Sequence, residues 1–351
     1  MSLINHQNKA FGLDISDGGL RLAQLGNLGK KVSLRDYSQV TLPAGCVVGG
    51  EIKETKIFLE KLNELIRGKK GSERLSRQVV AVLPEDKTFL KTVDLPVDNS
   101  PLKQRISELI PQLMPLDIND IYFDWQAIKK TAAEQSVLVG ASPKNVVDSY
   151  FNILTKAGLT PIALEIEAAS IARLLIEHNG ESEPQIIIDM GANRTGLFFY
   201  DDGMIRFTIS LPISGDMITE LIAESLDIDK EKSEKAKIIC GLDRTKCHGA
   251  LLEIMGHTLD DLAEQINRAI IFYRANFVNS NKIEKIVLCG GGANFSGIAD
   301  ILKEKTALSV SISNPLKNID CPFEELRSPK IQSFISALGL ALRGLNLKNY
   351  L

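Results

Sequence analysis

Three runs of apolar, strand-forming residues along the chain each end in a glycine-rich turn. They are Phe11-Gly-Leu-Asp-Ile-Ser-Asp-Gly-Gly19, Ile186-Ile-Ile-Asp-Met-Gly-Ala-Asn-Arg-Thr-Gly196 and Ile286-Val-Leu-Cys-Gly-Gly-Gly-Ala-Asn-Phe-Ser-Gly297. After Asp14 the chain turns at Asp17, Gly18 and Gly19 and continues apolar through Leu20 to Leu25. The pattern then predicts a strand over 32–40 and a helix over 55–67. After Asp189 it turns again near Asn193 to Gly196 and runs apolar over 197–200. Asp201, Asp202 and Gly203 form a second turn, followed by a predicted strand over 205–211 and a helix over 216–226. Short spacers of Gly and Asp between such runs are hairpin signals. Each half therefore reads strand, turn, strand, turn, strand, helix, which implies a duplicated domain.

This reading excludes two familiar phosphate loops. A Walker loop and a Rossmann turn both open a helix with fixed glycine spacings, whereas the first two turns here open strands. The third turn differs, because Gly290, Gly291 and Gly292 follow a strand over 286–288 and precede a helix predicted around 298–305. Backbone amides near a helix start suit a phosphate or the edge of a nucleoside.

The rhythm is interrupted over 88–142. Residues 88–96 read as a strand, and 102–113 as an amphipathic helix with Leu102, Ile106, Leu109, Ile110 and Leu113 on one face. Pro111 and Pro115 are expected to bend or end that helix. Strands are predicted over 121–128 and 137–139, a helix over 145–157 stopping at Gly158, and a returning element over 160–165. Trp125, the single tryptophan, reads as core or edge of this insertion, with peptide contact as the alternative.

Composition narrows the class. The 351 residues, 44% hydrophobic, suffice for two cores, and the net charge of −3 without a long Lys/Arg block argues against nucleic acid. No apolar run approaches the ~20 residues of a membrane span, and residues 1–9 lack the regions of a signal peptide. Cys46, Cys240, Cys247, Cys289 and Cys321 show no Cys-x-x-Cys spacing, so reduced thiols of a cytoplasmic protein are expected. Cys247, His248 and His257 lack the spacing of a zinc site.

Asp14 and Asp189 each stand at the end of a strand beside a glycine turn. A carboxylate so placed suits a hydrated Mg²⁺, and the turn amides suit an oxyanion. Singly, each feature has a plainer reading: an ordinary Asp-Gly hairpin, a strand end, a helix-packing loop. Their order at domain-sized intervals favours a shared site.

The stretch from Pro96 to Pro115, then Tyr122-Phe-Asp-Trp125, Ala141-Ser-Pro-Lys-Asn-Val-Val-Asp-Ser-Tyr150 and Ala157-Gly-Leu-Thr-Pro161, adds a more specific signal. With these the chain resembles, over nearly its whole length, the PilM family of type IV pilus assembly proteins. That family is related to FtsA within the actin and sugar-kinase superfamily. The resemblance implies an α/β, duplicated actin-like (ribonuclease H-like) ATPase fold with a small inserted α+β subdomain in the first lobe. The lobes are expected at 1–87 with 143–180 and at 181–351, the insertion at 88–142, and a helical subdomain at about 216–283.

By the same resemblance the protein binds ATP or ADP with Mg²⁺, held through water by Asp14 and Asp189. Ser16, Gly18, Gly19 and Arg21 fall on the first phosphate hairpin, and Asp189, Gly191 and Thr195 on the second. Gly290, Gly291 and Gly292 fall on the adenosine motif, with Glu234 and Lys237 on the helix that reaches ribose and adenine. For that pair a solvated helix face is the alternative. Glu167 falls where hydrolysing relatives position the attacking water; it also suits a plain helix start.

Ser16 stands in place of the usual glycine and Asp17 in place of a small hydroxyl residue. A carboxylate beside a triphosphate implies slow turnover unless it points away. The expected partner is a PilN-like inner-membrane protein, held by its short N-terminal peptide between the first lobe and the insertion. Pilus motor ATPases and a second copy are further partners compatible with the resemblance. The rival readings are a small-molecule kinase of the same fold, an FtsA-like division filament protein, and the cytoplasmic region of a GspL-like secretion protein. The last two are disfavoured because the sequence ends soon after an apolar segment at 337–345, without a basic amphipathic anchor or a span.

Overall fold

Asp14 pairs with Arg21 across an antiparallel ladder running from Gly12 opposite Ala23 to Ser16 opposite Gly19. The first glycine turn is therefore a tight hairpin between β1 (Phe11–Ser16) and β2 (Gly19–Leu28). The computed structural model describes residues 10–28, 31–98, 100–113, 117–176, 183–277, 280–327 and 329–345. These fall into two units.

In the first unit β2 returns into β3 (Lys31–Thr41), and a small two-stranded ribbon follows, β4 (Val47–Val48) and β5 (Glu51–Ile52). Helix α1 (Thr55–Arg67) leads to β6 (Gln78–Leu83), which lies parallel to β1. Phe58, Leu62 and Leu65 recur at helical spacing on α1 and are fully buried against the sheet, each contributing ~2 kcal/mol by burial.

Between β6 and the rest of this unit lies a segment with a core of its own. It contains β7 (Phe89–Pro96), α2 (Leu102–Leu113), β8 (Ile121–Lys130) and β9 (Glu134–Pro143), with β9 antiparallel to both β7 and β8. Ile106 and Ile110 of α2 pack on Val93, Leu95, Val137 and Val139, and Trp125 lies half-buried at the margin beside Phe123. Helix α2 runs through Pro111 to Leu113; Pro115 lies outside the described residues. Then come α3 (Lys144–Lys156), β10 (Thr160–Ile166), parallel to β6, and α4 (Glu167–Leu175).

The second unit repeats the meander. β11 (Gln185–Met190), β12 (Thr195–Asp201) and β13 (Met204–Leu211) pair antiparallel in sequence. Helices α5 (Gly215–Leu226), α6 (Lys230–Cys240), α7 (Ala250–Ile254) and α8 (Gly256–Asn276) precede β14 (Lys285–Cys289). β14 lies parallel to β11 on one side and to β15 (Ser309–Ile312) on the other, with α9 (Ile298–Thr306) between β14 and β15 in the chain. Phe199 and Phe207 stack at 4.4 Å, and Tyr273 and Phe277 of the α8 end close the same cluster.

Two expectations are corrected. The second lobe was expected to run to residue 351, yet 315–327 and 334–345 belong to the first unit. The short strand Ile319–Asp320 pairs with β3, and the closing helix Ile335–Leu345 packs on β1, β2 and α4. Gly339 permits that contact: a Cβ there would stand 2.0 Å from the Ser170 carbonyl oxygen. Arg343 of this helix and Arg173 of α4 both bind the buried Glu165 carboxylate, at 3.0 and 2.9 Å.

The expectation of five reduced thiols also fails, because Cys240 and Cys247 form a disulfide. Cys240 ends α6, and positive φ at Gly241 and Cys247 helps fold the chain back. The two Cα atoms then lie 5.6 Å apart, within the span a disulfide bridges.

Asp201, fully buried at the end of β12, accepts hydrogen bonds from the Tyr273 hydroxyl and, at 2.7 Å, from the Asn281 side chain. Burial alone would raise its pKa; these bonds, with Arg206 3.8 Å away, outweigh it and hold the carboxyl below its ordinary range. A lowered folded pKa stabilises above the unfolded pKa and is lost as pH falls through the carboxylate range. Asp201→Ala should cost ~3 kcal/mol by orphaning this network, read as a lower urea midpoint for the second unit at neutral pH. The difference from wild type should shrink on acidification.

Thiol titration of denatured protein should find three free thiols, those of Cys46, Cys289 and Cys321, and all five cysteines only after reduction. Cys247→Ser should lower stability by ~2 kcal/mol, the short-loop value for a disulfide.

Candidate nucleotide site

Each unit carries one set of the predicted residues. In the first, Asp14 is 5% exposed and accepts a hydrogen bond at 3.1 Å from Arg21, its cross-strand neighbour. Ser16 donates to the Gly19 carbonyl at 3.0 Å, so its hydroxyl braces the turn. Gly18 is the exposed member of the turn, with open space where a side chain would stand.

Asp17 is directed at a different segment. Its two oxygens accept the amides of Gly49 and Gly50 at 2.8 and 3.0 Å. Glu167 is the first residue of α4, and its carboxylate accepts the Ser336 hydroxyl at 2.7 Å. The closing helix thus orients Glu167, a contact hidden in the sequence by a separation of 169 positions.

In the second unit, Asp189 is 7% exposed and stands next to Cys289 in the parallel ladder. The third glycine turn passes directly over it. Gly290 has φ 78°, and a Cβ there would fall 2.2 Å from Asp189 Oδ1; Gly292 likewise has no room beside Met190. Glycine is thus required at both positions, and the turn backbone packs directly against Asp189 and Met190.

The second turn closes through the Gly191 amide on the Arg194 carbonyl at 2.9 Å. Its Gly191 and Ala192 carbonyls receive the amides of Gly215 and Asp216, at 3.0 and 2.8 Å. The start of α5 is therefore built onto this turn. Ser214 caps the helix by accepting the Met217 amide. The sequence placed the helix start at Asp216; the Ser-Gly-Asp run is the cap signal that marks the earlier start.

Thr195 is buried and donates to the Ile213 carbonyl at 2.7 Å, so its hydroxyl holds the strand-to-helix connection. Lys237 bonds Thr219 at 2.8 Å, the Gly215 carbonyl at 3.1 Å and Glu234 at 2.6 Å. Glu234 also accepts from Thr219 at 2.8 Å. Thr219, unremarked in the sequence, is the residue through which this pair joins the start of α5. Lys237 is largely buried, while the Glu234 side chain remains 48% exposed.

Asp14 and Asp189, each within its own unit, are buried carboxylates beside a glycine turn, the oxygen-donor chemistry a hydrated Mg²⁺ takes, although Asp14 already has Arg21 as its cation.

Residues 12–345 match the family model described as type IV pilus assembly protein PilM. The chain is 28% identical over 278 residues to the cell division protein FtsA of Borreliella burgdorferi, covering 72% of this chain and 63% of that protein. It is 24% identical over 237 residues to FtsA of Enterococcus hirae, covering 62% and 53%. It thus spans less than two thirds of the length of these curated relatives. Among solved structures, a PilM-PilN type IV pilus biogenesis complex superposes with TM-score 0.81 at 23% identity, covering 96% of this chain and 98% of that one. MreB 5 of Spiroplasma citri bound to AMPPNP gives 0.57 at 12% identity, over 98% of each chain. These likenesses establish a duplicated actin-like fold. No helix among the described residues is long and apolar enough to cross a membrane. With the family model covering residues 12–345, the chain belongs to the type IV pilus assembly protein PilM family.

Proposed function

We propose that this chain is an ATP-binding cytoplasmic scaffold of the type IV pilus inner-membrane assembly platform. It takes ATP or ADP with Mg²⁺ and recruits a PilN-like membrane protein by that protein's N-terminal peptide. The observation that carries the nucleotide reading is the close crossing of the Gly290–Gly292 turn over the buried Asp189, which brings turn backbone, and no side chain, up to a carboxylate. The hairpin turns at Gly18-Gly19 and Gly191 serve the phosphates. Gly290 to Gly292 and Glu234 serve the nucleoside, with Lys237 positioning Glu234. Mg²⁺, when bound, neutralises phosphate charge. The AMPPNP-bound MreB 5 neighbour favours this reading by fold.

For the partner, a cavity of about 620 Å³ lies where the 88–143 segment meets the rest of the first unit, lined by Glu51, Lys87, Asp120, Lys144 and Asp148 among others. Charges of both signs on its walls suit a polar peptide. A membrane-tethered peptide gains effective concentration by confinement, so modest affinity suffices. The PilM-PilN neighbour supports a PilN-like occupant.

Calorimetry should show MgATP or MgADP binding to the intact protein, and Asp189→Ala should weaken it by at least ~100-fold, ~2.7 kcal/mol. Absence of binding to wild type overturns the nucleotide reading. Hydrolysis by the protein alone should be slow, far below the ~10 per second of a typical enzyme; many turnovers per second would contradict a scaffold role.

Reversing two groove charges, Lys87→Glu with Lys144→Glu, should abolish membrane recruitment in cells that carry the PilN-like protein, while nucleotide affinity persists. Normal recruitment by a folded double variant would place the partner site elsewhere.

A further inference from the structure

The first phosphate turn and the wall of the groove share one carboxylate. β4 and β5 are joined by a two-residue turn, Gly49 and Gly50, both at positive φ (54° and 72°). Asp17 grips both amides of that turn, at 2.8 and 3.0 Å. Two charge-assisted bonds from one side chain fix orientation as well as distance.

The far side of the ribbon is equally held. The Gly50 carbonyl accepts the Tyr150 hydroxyl at 2.7 Å, and Gly50 lies so close to Pro84 that a Cβ would fall 2.1 Å from the proline ring. Tyr150 is 1% exposed. Burial first, and then the neighbouring carboxylates of Asp17, Asp86, Asp14 and Glu167, drive its phenol well above the ordinary range. It therefore stays a neutral donor at any working pH.

The next residues form the groove. Glu51 and Lys53 line a cavity of about 160 Å³ with Asn145 and Ser149 of α3, and Glu51 also lines the larger cavity. Thus the turn that carries Gly18 and Gly19 reaches the groove wall through one side chain and two peptide units.

We propose that Asp17 is a latch that couples occupancy of the phosphate turn to the shape of the partner groove. The proposal rests on the reading that this turn receives a nucleotide phosphate. A phosphate at Gly18 and Gly19 repels a carboxylate that swings toward it, whereas a carboxylate bound to the Gly49 and Gly50 amides is held away and its charge is shared with two donors. Nucleotide therefore favours the latched ribbon, and the latched ribbon fixes Glu51 and Lys53 in the groove. By linkage, an occupant that needs the fixed wall strengthens nucleotide binding by the same factor. This gives Asp17, out of place in an ordinary phosphate turn, a positioning role.

The test is hydrogen exchange of residues 47–53 in the full chain, with and without saturating MgATP, with calorimetry on the same samples. In wild type, MgATP should slow exchange of the Gly49 and Gly50 amides at least tenfold. In Asp17→Ala these amides should exchange fast and identically with or without MgATP. Binding of MgATP to wild type with unchanged ribbon exchange overturns the latch and leaves the nucleotide reading standing. Absence of MgATP binding overturns both. Nucleotide-dependent protection persisting in Asp17→Ala also overturns the latch. Should Asp17→Ala fail to fold by circular dichroism, Asp17→Asn, with one acceptor oxygen in place of two, should retain only part of the protection; a full wild-type response there counts against the latch.

Discussion

The second unit is organised around a contact that only glycine allows. Asp189 stands one residue before the end of β11 as a buried carboxylate, and the turn after β14 crosses it so closely that even a methyl group at Gly290 would overlap Oδ1. This contact dictates much else. β14 must lie parallel beside β11 and end in register with it, as the pairing of Asp189 with Cys289 shows. α9 must begin beyond the crossing, with Gly297 turning into it at positive φ. The neighbouring thiol of Cys289, buried, donates to the same carboxylate oxygen at 3.9 Å. The turn backbone thus meets the carboxylate with no side chain between them.

The two hairpins share topology but not electrostatics. Across from Asp14 stands Arg21, and across from Asp189 stands Gly196. The first turn thus carries a cross-strand cation and a diverted carboxylate, Asp17, whereas the position across from Asp189 is a glycine. Duplicated elements diverge most readily at such cross-strand positions, because side-chain pairs there change without altering the ladder.

Much of this was legible in the sequence wherever local chemistry sets local structure. Asp-Gly spacers announced the hairpins at 17–19 and 201–203, and the period of Phe58, Leu62 and Leu65 announced α1. The paired aspartates and three glycine turns were legible as a set. What was not legible depends on distant partners. The buried fate of the Thr195 hydroxyl needs the Ile213 carbonyl, Lys237 needs the start of α5, and Glu167 needs Ser336. The Cys240–Cys247 bridge hides because its spacing matches no common motif; only the geometry of the α6 end makes it close. The closing helix was assigned to the wrong lobe because an apolar stripe says that a helix is buried, not against what.

That closing helix bears on how the molecule is made. The first unit buries Leu340 in its core and uses Arg343 on Glu165, so its strands and helices emerge from the ribosome long before the piece that completes them. The second unit, contained almost entirely within residues 183–314, has its full complement of strands well before then. Order of synthesis and order of completion are therefore inverted for the two units. The half carrying Asp189 can settle during translation, while the half carrying Asp14 and the groove waits, partly open, for residues more than three hundred positions downstream. Contacts of such separation form slowly and leave apolar surface exposed meanwhile, so the interval before the closing helix emerges is when the first unit is most open to chaperones or to misassembly.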